Sequence, residues 1–126
     1  MIHILIVSEN QLSMSAFKTA LNESGAQTTC LESGCKAFSA VSESVFDLLV
    51  ADENLGDMTG LELIKSIIAS QPMLNCAAVS SLLPGDFHEA SEGLGVLMQL
   101  PVEPGKQEAD QLLEHLKKIQ SFGVKL

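Results

Sequence analysis

The sequence contains no tryptophan and no tyrosine, and its aromatic side chains are five phenylalanines. A core built from it is therefore mostly aliphatic, and there is no Trp or Tyr ring to stack a flavin. Basic residues are scarce: seven Lys and Arg face sixteen Asp and Glu, for a formal net charge of −9. That balance opposes nucleic-acid binding, which needs clustered cations against the phosphates, and opposes docking on anionic membranes. Proteins, cations and small ligands are the partners such an acidic domain meets. Cysteine is limited to Cys30, Cys35 and Cys76, an odd number without CxxC spacing. A disulfide framework or a zinc site is not expected from that pattern. Thiols in a reducing cytosol, and hence a cytoplasmic location, are expected instead. No apolar run approaches the roughly 20 residues of a membrane span. The apolar opening from Met1 to Val7 has no cationic leader and no small-residue cleavage site, so it reads as a strand and not as a signal peptide. Repeats, low-complexity tracts and linkers are absent too, and residues 1–126 are expected to form a single domain.

What is present is an alternation of short apolar runs with amphipathic stretches. Ile2 to Val7 is continuously aliphatic, the pattern of a strand buried on both faces. Asn10 or Ser13 can cap the next helix, whose apolar face is expected to carry Leu12, Ala16, Phe17, Ala20 and Leu21. Gly25 is placed to end it. Gln27 to Leu31 alternates weakly, as an edge strand does. Ser33 to Ser42 carries Ala37, Phe38 and Val41 at helical spacing. Phe46 to Ala51 is a second aliphatic strand running into Asp52, with a Gly-containing loop, Glu53 to Gly60, after it. Leu61, Ile64, Ile67 and Ile68 form the stripe of a core-facing helix, which Pro72 stops. Cys76 to Ser80 is a third buried strand, Pro84 opens a short helix to about Glu92, and Val96 to Leu100 is a fourth aliphatic strand. Lys106 to Gln120 is the last helix, with Ala109, Leu112, Leu113, Leu116 and Ile119 inward.

Five βα units in series predict an α/β fold, a parallel sheet with helices on both faces. The common doubly wound order for five strands is 2-1-3-4-5, the flavodoxin-like (βα)5 arrangement. Ligands of such sheets bind outside the carboxyl ends of the strands. Strand 1 ends in Ser8-Glu9-Asn10, strand 3 in Asp52-Glu53-Asn54, strand 4 in Ser80-Ser81 and strand 5 in Leu100-Pro101. Glu9, Asp52 and Ser80 are therefore expected to converge on one pocket. Two carboxylates near backbone carbonyls suit a hard cation such as Mg²⁺.

The segment from Phe46 to Ile64, with Asp52 at the strand end and Leu55, Met58 and Gly60 in the loop after it, resembles the central motif of CheY-like response-regulator receiver domains. Gly56 stands where that family usually has Pro. The resemblance extends to Ile4-Leu5-Ile6-Val7, to Ala78-Val79-Ser80-Ser81 and to Leu100-Pro101, and so covers nearly the whole chain. It implies a signalling module of two-component systems and not an enzyme. Asp52 would be the phosphoacceptor and Ser80 the hydroxyl that bonds the phosphoryl group. Glu9, Asp52 and the Asn54 carbonyl would be the ligands of Mg²⁺. A histidine kinase or phosphotransfer protein would supply the phosphoryl group and a downstream protein would read the result, with a homodimer left open. Asp57 falls at a variable place in the loop and carries little information. His3, His88 and His115 show no ligand spacing, and Glu23, Glu32, Glu43 and Asp47 read as surface acids. The chain ends soon after its last helix, so no output domain is visible.

Departures from the family pattern concern the chemistry. Ser8 stands in place of one carboxylate of the acidic pair, which weakens the expected metal site. Leu100 stands in place of the Lys that pairs with the phosphoryl group, and Leu97 in place of the switch aromatic. Two functions are open at this level. One is a receiver that accepts a phosphoryl group on Asp52 with weakened or atypical chemistry. The other is a phosphorylation-independent pseudo-receiver that binds proteins. A flavin binder or small enzyme on the same fold is disfavoured, since no Gly-rich phosphate loop follows strand 1.

Overall fold

The computed structural model describes residues 2–124, with side chains as far as residue 119. Five parallel strands form one sheet in the order β2-β1-β3-β4-β5: β1 (His3–Val7), β2 (Gln27–Leu31), β3 (Leu48–Ala51), β4 (Asn75–Val79) and β5 (Gln99–Leu100). The helices are α1 (Ser15–Glu23), preceded by a 3-10 turn at Gln11–Met14, α2 (Gly34–Glu43), α3 (Gly60–Ser70), α4 (Pro84–Ala90) and α5 (Lys106–Val124). This is the doubly wound α/β architecture expected from the sequence. No helix among the described residues is long and apolar enough to cross a membrane.

The period-two alternation of the strands divides the core into two layers. Ile4 and Ile6 of β1, Leu48 and Val50 of β3, and Ala77 and Val79 of β4 pack against Phe17 and Leu21 of α1 and Leu112 and Leu116 of α5. Leu5, Val7, Leu49, Ala51, Cys76 and Ala78 point the other way, against Val41 of α2, Leu63, Ile64 and Ile67 of α3, and Phe87 of α4. Burial pushes the Cys76 thiol up to about 12, so it stays a neutral apolar group.

Several expectations change. Leu12 is 87% exposed and Ala16 is exposed, because the chain enters α1 through the 3-10 turn and Met14 takes the inward place. Asn10 does cap that turn, its side chain accepting from the Leu12 N–H at 3.1 Å. Phe38 and Ile119, expected inside, are exposed on their helices. The third strand starts at Leu48 and not Phe46, and the last spans only Gln99–Leu100. Asp47, read as a surface acid, accepts the His3 N–H at 2.8 Å and ties the amino ends of β1 and β3 together.

Candidate functional site

The register sets the carboxyl edge. Val7 lies opposite Ala51, and Ala51 opposite Ala78. Ser8 and Asp52 are the next residues out on adjacent strands, and Ser80 lies two beyond Ala78. The Ser8 side chain is fully buried. Its hydroxyl reaches Asp52 Oδ2 at 2.7 Å and the Asn10 carbonyl at 2.9 Å, while the Asn10 N–H donates to Ser8 Oγ at 3.1 Å. A hydroxyl has one proton, so the two acceptors share it. The other Asp52 oxygen, Oδ1, accepts from the Glu53 N–H at 2.8 Å. Half-buried Asp52 thus has a donor on each oxygen.

The loop after Asp52 is fastened on both sides. On the α2 side, Asp57 Oδ1 accepts from the Gly34 N–H and Oδ2 from the Cys35 N–H, both at 3.0 Å. These amides belong to the first turn of α2, where N–H groups lack helical partners. Their bonds hold the Asp57 carboxyl below its ordinary range. Within the loop, the Leu55 N–H donates to the Met58 carbonyl and the Gly60 N–H to the Glu53 carbonyl. Thr59 then caps α3 reciprocally: its hydroxyl accepts from the Glu62 N–H, and its own N–H donates to Glu62 Oε1. These bonds hold Glu62 below the usual carboxylate range as well. Gly60 is required by contact, since a Cβ there would run into the Asp52 carbonyl. Gly56 has φ +83°, a conformation that strain reserves largely for glycine, and the end of the Glu9 side chain lies against it.

On the β4 side the fastening residue is Glu53. Its Oε2 accepts from the Ser81 N–H at 2.9 Å, and the Ser81 hydroxyl reaches both carboxylate oxygens at 3.0 Å. The Ser80 hydroxyl donates to Glu53 Oε2 at 3.4 Å and accepts from the Leu82 N–H at 3.1 Å. Glu53, Thr59, Leu61, Val79, Ser80 and Leu82 line a cavity of about 220 Å³ beside this latch.

The expected site residues are thus distributed as follows. Asp52 sits between Ser8 and the Glu53 amide. Ser80 reaches the Glu53 carboxylate. Asn54 uses its side-chain oxygen to accept from the Gly56 N–H at 3.0 Å. It faces Thr59 in an antiparallel bridge whose two hydrogen bonds are made by flanking residues, which leaves the Asn54 carbonyl out of that exchange. The Glu9 carboxylate lies over Gly56. Leu100 is fully buried in the aliphatic layer with Ala109, Leu112, Leu113 and Leu116.

Receiver domains typically bind Mg²⁺ at an acidic pocket. The donors expected for it here are two carboxylates, Glu9 and Asp52, with the Asn54 carbonyl. Among the described residues no group of three or more His, Cys, Asp or Glu is arranged to hold a metal ion, and the Ser8 hydroxyl engages Asp52 Oδ2. Two residues central to the edge were missed by sequence reasoning. Glu53 and Asp57 each act across more than twenty positions of sequence, and a loop acid has no periodicity to reveal its partner.

A doubly wound sheet with an aspartate at the end of its third strand and a hydroxyl at the end of its fourth defines a receiver-like signalling module. The response regulator receiver domain family model matches residues 4–98, and the chain belongs to that family. The polar-differentiation response regulator DivK of Brucella ovis is 34% identical over 62 residues, which are 49% of this chain and 50% of that protein. DivK of Brucella abortus gives the same values. The chain spans about half the length of these curated relatives in the match. Among solved structures, the chemotaxis response regulator CheY4 of Vibrio cholerae superposes with a TM-score of 0.83 at 16% identity, over 92% of this chain and 98% of that one. A CheY-like receiver domain protein from Methanospirillum hungatei gives 0.84 at 18% identity, over 96% and 98%. At such identities these two structures establish the fold alone.

Proposed function

We propose that this chain is a receiver module of two-component signalling that acts through protein–protein contacts without requiring a phosphoryl group on Asp52. The observation that carries this reading is the bond from the buried Ser8 hydroxyl to Asp52 Oδ2 at 2.7 Å. An aspartate that takes up a phosphoryl group gathers negative charge, and catalysis of that step rests on cations placed to meet it. Here a neutral hydroxyl supplies the contact. Ion pairs such as Lys106–Asp110 and Lys118–Glu114 lie along α5, and none among the described residues involves Glu9, Asp52 or Glu53. Leu100 contributes an apolar side chain to the core where the family resemblance calls for a Lys.

A second reading is favoured by two observations. Asp52 is partly exposed at the carboxyl edge, and Ser80 keeps a hydroxyl there. On that reading Asp52 is a slow phosphoacceptor, charged by a histidine kinase or phosphotransfer protein, with Ser80 bonding the phosphoryl group and Glu9, Asp52 and Asn54 facing a weakly held Mg²⁺. Both readings share a downstream protein partner, act as a signalling module and place the whole of residues 1–126 in one cytoplasmic domain. Incubation with acetyl phosphate and Mg²⁺ followed by intact-mass measurement separates them. The first predicts unchanged mass, with Asp52→Asn leaving partner affinity unaltered. Uptake of one phosphoryl group, lost in Asp52→Asn, would establish the second.

A further inference from the structure

Glu53 follows Asp52 directly, yet its carboxylate leaves β3 and bonds the end of β4. We infer that Glu53 is a resident anion, a carboxylate that holds in cis the β4 donors a phosphoryl group on Asp52 would engage, and so latches the β4–α4 junction without phosphorylation. The inference rests on the reading of the chain as a receiver that works in the unphosphorylated state, and it assigns that state a cause.

Three donors converge on this one carboxylate: the Ser81 N–H, the Ser81 hydroxyl and the buried Ser80 hydroxyl. Hydrogen bonds to a carboxylate are about twice as strong as those between neutral groups, so the three together fix where the Glu53 side chain lies. The same residue also donates its N–H to Asp52 Oδ1. Glu53 therefore spans the two strand ends, with its amide on β3's aspartate and its carboxylate on β4's serines. A phosphoryl group on Asp52 brings further anionic oxygens to the same edge. It would meet donors already in use and a carboxylate of like charge.

The latch also has a path outward. Ser80 Oγ accepts the Leu82 N–H, and Gln99 of β5 donates to the Leu82 carbonyl at 2.8 Å and to the Ser80 carbonyl at 3.3 Å. Leu82 and Leu83 come next, 42% and 72% exposed, and Leu83 leads into α4. Fixing Ser80 and Ser81 on Glu53 thus fixes where these two apolar side chains are presented.

The test is amide hydrogen exchange and ¹⁵N–¹H spectra of the intact chain, compared among wild type, Glu53→Gln and Glu53→Ala, with no phosphodonor present. In Glu53→Ala the Ser81 amide is expected to exchange about tenfold faster, the scale of one lost hydrogen bond to a charged group, and the Leu82 and Leu83 resonances are expected to move with it. Glu53→Gln, which keeps an acceptor oxygen but no charge, is expected to fall between. If Glu53→Ala fails to fold, Glu53→Gln against wild type decides on the same Ser81 amide. Equal Ser81 exchange in the folded proteins overturns the latch. A change confined to Ser81, with Leu82 and Leu83 unmoved, overturns its role at the β4–α4 junction. Phosphoryl uptake on Asp52 is read separately by mass, so the two ideas can fail independently.

Discussion

The bodies of β1, β3 and β4 and the loop edge that caps them are held by different forces. In the strand bodies every residue from Ile4 to Val7 and from Leu48 to Ala51 is buried and apolar, and stability there comes from area removed from water and close packing. One residue further out, at Ser8 and Asp52, the contacts become hydrogen bonds, and the three acids Asp52, Glu53 and Asp57 are each met by N–H or O–H donors and not by cations. The difference teaches that this edge is organised to satisfy negative charge internally. The comparison also explains how a chain so distant in sequence from the solved structures keeps their fold. The aliphatic layers depend on volume and pattern, which many sequences supply, whereas the edge depends on individual polar groups.

The largest expected effect breaks the strand bodies. Leu49→Ala leaves a cavity between β3 and α3 and is expected to cost about 2–5 kcal/mol in denaturant unfolding. Leu12→Ala, on the exposed 3-10 turn, should stay within about 0.5 kcal/mol. Similar losses for the two would erase the distinction between body and edge. Next comes Ser8→Ala, which removes the donor to Asp52 Oδ2. Because half-buried Asp52 can recruit water, a loss of about 1 kcal/mol is expected, with unchanged core packing by near-ultraviolet or methyl spectra.

A smaller effect follows from Asp57. Its carboxyl is held below its ordinary value of 3.8 by the α2 amides. A group whose folded value is depressed contributes stability above its unfolded value and loses it as pH falls through the folded one. Stability of the wild type is therefore expected to decline as pH drops below about 4, with Glu62 acting in the same direction from its ordinary 4.5. Asp57→Asn should remove part of that acid slope. A slope identical to wild type would show that the α2 clamp contributes nothing. Smallest in energy is the contrast between two thiols. Exposed Cys35 should react with iodoacetamide in the native protein while buried Cys76, with its thiol pushed up to about 12, should not.

How far the sequence could be read follows the same division. Ile4 to Val7 and Leu48 to Ala51 were legible because a continuous aliphatic run has few uses other than a strand covered on both faces. The run ending at Ala51 put Asp52 at the carboxyl edge, and the alternation of five βα units supplied the strand order. Leu12, Phe38 and Ile119 were misplaced because helical periodicity cannot show that a 3-10 turn shifts the inward face to Met14, or that a stripe is wider than the layer it meets. β5 proper is Gln99–Leu100, but Leu97 donates its N–H to the Cys76 carbonyl at 2.7 Å and Met98 accepts from the Ala78 N–H at 3.3 Å, so most of the aliphatic run read from the sequence does line β4. Glu53 and Asp57 were passed over for a physical reason. Their partners, Ser81 and the Gly34–Cys35 turn, are set by the tertiary register and leave no local pattern in the sequence.

The central claim is that the carboxyl edge is already satisfied by its own donors. Titrating the protein with beryllofluoride and Mg²⁺ while following the Glu53 and Ser81 amides tests it most directly, since those amides bond Asp52 and the latch. The account predicts that neither resonance moves beyond the effect of Mg²⁺ alone. A saturable shift of both, abolished by Asp52→Asn, would contradict it.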